Sequence, residues 1–275
     1  MPASVVMASA MLTLTSTGAV IDSLAGAENV AVVAYTLSGS VLRALEDAAA
    51  RGANVAVCLE GHPYDDARSH LGRLNSRIVA ELRRAGADAR LADPIHAKTM
   101  SVDGTLYLDE KNWRAGDLVL REDDPTEAAA IQTHKGEALE QEANLLAGAR
   151  AADGVIVESE SFGSGNAAYF ALRALGRAGA APRLLVNSRD LRGAAHERTI
   201  LEDLARDGVR VRVCDDSSKF AVAGDRAWLG SANATYASGK WDMPDWGLCT
   251  GNAQIVDAVR TRLESEWSDA REFKA

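Results

Sequence analysis

The chain has 275 residues, with 30 Lys and Arg against 39 Asp and Glu, a net charge of −9, and 47% hydrophobic residues. That length supports one large or two smaller cores in a soluble globular protein. The acidic balance argues against a nonspecific nucleic-acid coat, which works by neutralising many phosphates. Cys58, Cys214 and Cys249 have no metal-ligand spacing and are odd in number, which fits a reducing, cytoplasmic setting better than a disulfide framework.

In chain order, Val5 to Val20 is mildly apolar, lacks a basic start, and reads as a first strand ahead of a secretion signal. No apolar run is long enough to span a bilayer. Asn29 to Tyr35 is a β-rich run. Ser38 or Ser40 offers a hydroxyl cap to a helix over Val41 to Arg51, which Gly52 ends. A strand follows from Asn54 to Leu59, then a polar loop from Glu60 to Asp66, and a helix from His70 to Ala85 closed by Gly86. Thr126 to Ala147 reads as a long helix joining two halves, with Gly148 as its stop. The order then repeats. Gly154 to Glu158 is a strand, Ser164 or Asn166 starts a helix that ends near Gly179, and Arg183 to Asn187 is a strand. Ile200 to Asp207 is helical, Gly208 stops it, and Val209 to Cys214 is a strand. Strands alternating with helices of this length predict an α/β sandwich on a largely parallel sheet. Two halves are expected, residues 1–148 and 149–275, with no flexible linker between them.

The repeat extends to chemistry. His96, Lys98 and Asp103 spell H-x-K-x-x-x-x-D, and Asn112-Trp113 follows nine residues later. A weaker copy holds Ser217, Lys219 and the run Gly230-Ser231-Ala232-Asn233. Lys98 and Lys219 are 121 residues apart, and so are Asn112 and Asn233. His and Lys beside Asn and Ser donors suit a phosphoryl group: a nucleophile, cations and neutral hydrogen-bond donors.

This pattern resembles the phospholipase D superfamily, which carries two H-x-K-x-x-x-x-D segments, each followed by G-S-x-N. The resemblance runs over nearly the whole chain. It implies two tandem α/β/α repeats related by a pseudo-twofold axis, with the motifs at 96–113 and 217–233 meeting in a shared cleft. The first motif departs from G-S-x-N, reading Asp109-Glu110-Lys111-Asn112. The second has Ser217 where the family has His, and Gly224 where it has Asp.

The resemblance implies a metal-independent phosphodiesterase or phosphoryl or phosphatidyl transferase that forms a covalent phosphohistidine and needs no cofactor. His96 is then the nucleophile. Lys98 and Lys219 bind phosphate, with Asn112, Ser231 and Asn233 as donors and Ser217 in the lost histidine's place. Asp103 supports the loop. Asp117 is the expected orienter of the His96 ring, and Asp245 lies in the matching region of the second half. Each role has a physical basis. A covalent intermediate splits one hard displacement into two easier ones, and fixed donors stabilise developing charge without reorganising.

The missing second His removes a general acid worth roughly 10²–10⁴ in rate. Three explanations stay open: another group serves as the acid, the leaving group needs none, or the site binds without turnover. Glu110, in the family's Ser position, is the leading substitute, since a buried carboxyl holds a raised pKa. His62 and His196, beside loops after strands, are the other two. His134 reads as a polar helix face and Trp228 as core. Trp241 and Trp246 are candidates to line the cleft. The partner is a phosphate-containing substrate, and the sequence leaves its class and the oligomeric state undetermined. The alternative to an enzyme is a lapsed binding protein or scaffold on the same fold.

Overall fold

The computed structural model describes residues 12–123, 132–189, 191, 194–239 and 242–274. Its first half runs β1 (Thr13–Ser16), α1 (Thr17–Leu24), β2 (Asn29–Ala34), α2 (Gly39–Ala50), β3 (Asn54–Glu60), α3 (His70–Ala85), β4 (Asp88–Ala92), β5 (Lys98–Val102), β6 (Thr105–Asp109) and β7 (Leu118–Glu122). These strands form one sheet in the order β1-β7-β6-β5-β2-β3-β4. The second half runs β8 (Gln132–His134), α4 (Lys135–Ala147), β9 (Ile156–Ser159), α5 (Ala167–Arg177), β10 (Arg183–Asn187), α6 (Ala195–Arg206), β11 (Arg210–Cys214), β12 (Phe220–Ala223), β13 (Arg226–Gly230), β14 (Pro244–Thr250), α7 (Ala253–Asp269) and β15 (Arg271–Glu272). Its sheet has the order β15-β11-β10-β9-β12-β13-β14-β8. Apart from β15 the two orders are the same, so the fold is two tandem α/β units.

Local chemistry explains the elements. Along β2 burial alternates strictly, so Val30, Val32 and Ala34 face the core. Ser38 caps α2 through the Val41 N–H, Ser69 caps α3 through the Gly72 N–H, and Asn166 caps α5 through the Tyr169 N–H. Gly86 ends α3 at φ 102°, a conformation that costs glycine nothing.

Two expectations need correction. The sheets are mixed rather than largely parallel. β2, β3 and β4 run parallel, as do β9, β10 and β11, but β5 and β12 pair antiparallel to their neighbours because each motif opens a hairpin meander. The predicted joining helix also belongs to the second half. Its described part, α4, follows β8, which pairs with β14 just as β1 pairs with β7. Ala138, Leu139 and Leu146 of α4 sit in the second half's core, so α4 packs with the second half as α1 packs with the first. The start of the predicted helix and most of the N-terminal run, 1–11, lie outside the described residues.

Helices α1 to α3 pack on the outer face of the first sheet. Helices α4 to α6 cover the outer face of the second. The inner faces share a third core, where Leu108 and Leu120 join Phe220, Leu229 and Trp246, together with Val259, Leu263 and Trp267 of α7. Each such buried side chain stabilises by about 1.5–3 kcal/mol, which fixes the halves against one another and gives a site between them a rigid frame.

Candidate active site

β2 pairs antiparallel with β5, so Lys98 lies opposite Ala34 at the carboxyl end of β2. That edge is where α/β sheets gather ligand-binding side chains. β9 and β12 build the same edge in the second half, with Glu158 opposite Phe220 and Lys219 just ahead of it. Hydrogen bonds join the halves beside the site: the His96 N–H donates to the Pro244 carbonyl (3.1 Å), and Trp246 Nε1 donates to the Asp109 carbonyl (2.9 Å).

His96 Nδ1 lies 2.7 Å from Asp245 Oδ1. Asp245 is fully buried and also accepts from Ser231 Oγ (2.7 Å), which in turn accepts from the Trp246 N–H (3.0 Å). Burial pulls the His96 pKa below its ordinary value, with help from Lys98 and Lys219, while Asp245 opposes the shift. The ring is therefore neutral at pH 7. With Asp245 fixing the proton on Nδ1, Nε2 is left as a free base.

Lys98 is buried, with Nζ 3.3 Å from both ring nitrogens of His96 and a hydrogen bond to the His96 carbonyl. Burial, with Lys219 nearby, lowers its pKa to about 8. Its Nζ also sits 5.6 Å over the Tyr35 ring, whose edge meets His96 at 5.2 Å. Lys219 donates to the Ser217 carbonyl (2.7 Å) and to Glu160 Oε2 (3.0 Å). Asn233 Nδ2 donates to the same Glu160 oxygen (3.4 Å). Among the described residues, the side-chain oxygens of Asn112 and Asn233 are buried without partners. A cavity of about 670 Å³ brings together His96, Lys98, Asn112, Glu160, Lys219 and Asn233.

The sequence expectation of one shared cleft thus matches the geometry, but the ring orienter is different. Asp117 does not hold His96. Its carboxylate accepts from the Arg114 N–H (2.6 Å) and lies 3.9 Å from Lys111 Nζ. The reason is crossing between halves. Glu110 accepts from the Leu118 N–H (3.3 Å) much as Ser231 accepts from the Trp246 N–H, so Asp117 corresponds to Asp245. Asp245 crosses to the opposite half, whereas Asp117 contacts its own half and lines the cavity that holds Ser217, where the histidine is replaced. Lys111 has moved into that space, 2.6 Å from Asp216 and 3.4 Å from Glu110.

Glu110 is buried below this cation rather than open to the anion cage. Burial raises its pKa to about 7. Asp109 takes the place of Gly230, and its carboxylate accepts the Lys111 and Trp113 N–H groups to shape the loop. At Gly230 no side chain fits, since a Cβ would lie 2.6 Å from the Trp228 ring.

Asp103 accepts from the Asn29 N–H (2.8 Å) and the Glu28 N–H, tying the β5–β6 turn to the start of β2. Its counterpart Gly224 keeps the left-handed turn (φ 57° against 48°), and its N–H bonds the Asp153 carbonyl instead. His62 is paired to Asp93 and lines an adjoining cavity of about 380 Å³ with His96. His196 is exposed on α6 and His134 precedes α4. Trp228 is a core residue as expected, Trp246 is also core rather than a cleft wall, and Trp241 lies outside the described residues.

Glu160 is the residue that sequence reasoning missed. Burial works to raise its pKa, but Lys219, Lys98 and His96 together hold it at about 2. Its one sequence cue is its place directly after β9, matching Tyr35 after β2.

Among the described residues no helix is long and apolar enough to cross a membrane. No family model matches the chain. No curated protein matches it either. Solved structures do share its fold. Phosphatidylserine synthase from Haemophilus influenzae Rd KW20 is 10% identical at a TM-score of 0.66, covering 95% of this chain and 87% of its own. Polyphosphate kinase from Porphyromonas gingivalis is 17% identical at a TM-score of 0.60 over 96% of this chain. This chain spans about half (52%) of that kinase. The phospholipase D family member Nuc from Salmonella typhimurium matches 53% of this chain at 14% identity and a TM-score of 0.46. At these identities the likeness is one of fold.

Proposed function

We propose that this protein is a phospholipase D-type phosphodiesterase or phosphoryl or phosphatidyl transferase that works through a covalent phosphohistidine at His96. The observation that carries the reading is the Asp245–His96 pair set against Lys98, Lys219, Asn112 and Asn233 from both halves of the molecule. Nε2 of His96 attacks phosphorus, and the P–O bond to the leaving group breaks as the P–N bond forms. Lys98 and Lys219 hold the non-bridging oxygens, and Asn112 and Asn233 donate to them as charge builds. Fixed donors in a buried cage stabilise that charge strongly, and losing one costs about 10²–10³ in rate. Asp245 keeps the ring proton on Nδ1 and stabilises the ring as its charge changes. Asp103 fixes the loop behind the lysine. Water or an alcohol then attacks phosphorus and releases His96, giving hydrolysis or transfer. The similar proteins bear names of phosphoryl and phosphatidyl transfer, which fits this chemistry.

A rapid alkaline quench tests it. Parent protein mixed with a labelled phosphodiester gives a base-stable, acid-labile adduct on His96, and His96→Ala gives none and lowers turnover by about 10³-fold or more. If His96→Ala turns over substrate as well as the parent, the reading is dead. One observation favours a second reading: the Glu160 carboxylate already occupies Lys219 and Asn233. A lapsed binding protein on this fold binds phosphate through Lys98 and Lys219 and makes no product from any phosphodiester.

A further inference from the structure

We infer that Glu160 is the general acid and base that replaces the missing second histidine. This rests on the His96 reading above. Glu160 lies at the boundary of two cavities. One holds His96, Lys98 and Asn112. The other, of about 530 Å³, holds Ser217 and Asp117, which mark where the second imidazole stands in the family pattern. Its carboxylate therefore faces the leaving side of a phosphorus held between Lys98 and Lys219. The side chain is 34% exposed, so it can leave Lys219 when a phosphate arrives.

Lys219, Lys98, His96 and Tyr35 act on it most directly; Arg114 lines both cavities with it, Glu197 the first, and Lys111, Asp117, Arg189, Asp215, Asp216 and Arg262 the second. In the empty site the cations keep Glu160 ionised. A bound phosphate takes the Lys219 and Lys98 contacts for itself and sets a second anion beside the carboxylate. Both changes favour the protonated form, so Glu160 takes up a proton from solvent as substrate binds. The acid is armed only when substrate is present.

Atoms balance through the cycle. Nε2 of His96 bonds phosphorus, the P–O bond breaks, and the Glu160 proton passes to the leaving oxygen to give an alcohol. The Glu160 carboxylate then takes a proton from the incoming water. The new P–O bond forms, the P–N bond breaks, and Glu160 returns that proton to solvent when the product leaves and Lys219 pairs with it again. Glu110 is not suited to this part, because it is buried behind Lys111.

The test compares two leaving groups on Glu160→Gln and Glu160→Asp. Phenol, released from diphenyl phosphate, is a poor leaving group with a pKa of about 10, like the tyrosine side chain. 4-Nitrophenolate, released from bis(4-nitrophenyl) phosphate, departs as an anion without a proton. In single turnovers, which read only the first step, Glu160→Gln should slow phenol release from diphenyl phosphate by about 10²–10³-fold and 4-nitrophenolate release by far less, while steady-state turnover of both substrates falls because the base of the second step is lost. Glu160→Asp should recover part of the loss. Equal losses in the first-step release of phenol and of 4-nitrophenolate overturn the inference. So does Glu160→Gln matching the parent on diphenyl phosphate while binding orthophosphate about tenfold more tightly, since Glu160 is then a plug. A parent that forms no His96 adduct even from bis(4-nitrophenyl) phosphate sinks the His96 reading itself, and the acid role with it.

Discussion

The two halves share a strand order and differ at the point of chemistry. In the first, the residue two positions before the motif lysine is an imidazole held by a buried carboxylate from the other half. In the second, the matching position is Ser217, and the matching carboxylate, Asp117, faces the Lys111 ammonium instead. One half keeps an imidazole held by a buried carboxylate. The other has become an ion cluster of Lys111, Asp216, Glu110, Asp117 and Arg262. Divergence has been tolerated where a lost group leaves a cavity that a neighbour can fill and neutralise. Lys98, Lys219 and the two asparagines, by contrast, still line one cavity from both halves.

The sharpest way to break this comparison is to remove one carboxylate from each half. Asp245→Asn should lower turnover by about 10³-fold, because the ring loses the partner that fixes its tautomer. Asp117→Asn should stay within about threefold, since Asp117 serves no ring. Equal effects in single-turnover assays would mean that the site is still used symmetrically.

Next in size is Lys111→Met. It strands buried carboxylates without their cation and should destabilise the fold by about 3 kcal/mol in urea titrations at pH 7. A change near zero would show that the cluster is not held by Lys111.

A third prediction concerns Glu142 on α4, both of whose oxygens are buried without partners among the described residues. Burial raises its pKa to about 8. The unfolded chain loses that proton near its ordinary carboxyl pKa, about 4.3. Between these values the folded state holds more protons, so this group's contribution to stability falls as pH rises and is fully lost above about 8. Glu142→Gln should remove that slope and exceed the parent by on the order of 2 kcal/mol at pH 9, as read by thermal or urea melts. The smallest effect is a pH profile: the acid limb of kcat/KM should fall below the ordinary imidazole value of about 6.5, because burial and the two lysines disfavour the charged ring.

Much of this molecule was legible from its sequence. The helix over His70 to Ala85 with its Gly86 stop, the strand over Arg183 to Asn187, and the paired spacing of Lys98 with Lys219 and Asn112 with Asn233 all follow from local rules: caps, periodicity and repeat offset. Such rules act within a few residues, so one chain can report them. The membership of α4, the exchange of Asp245 for Asp117 at the His96 ring, and the seat of Glu160 on Lys219 were decided only in the tertiary structure. Each depends on which surfaces cross between halves more than a hundred residues apart in the case of the ring, or on which side chain best neutralises a buried charge. A carboxylate is drawn to whichever cation the fold brings within reach, and no spacing in the sequence records that distance.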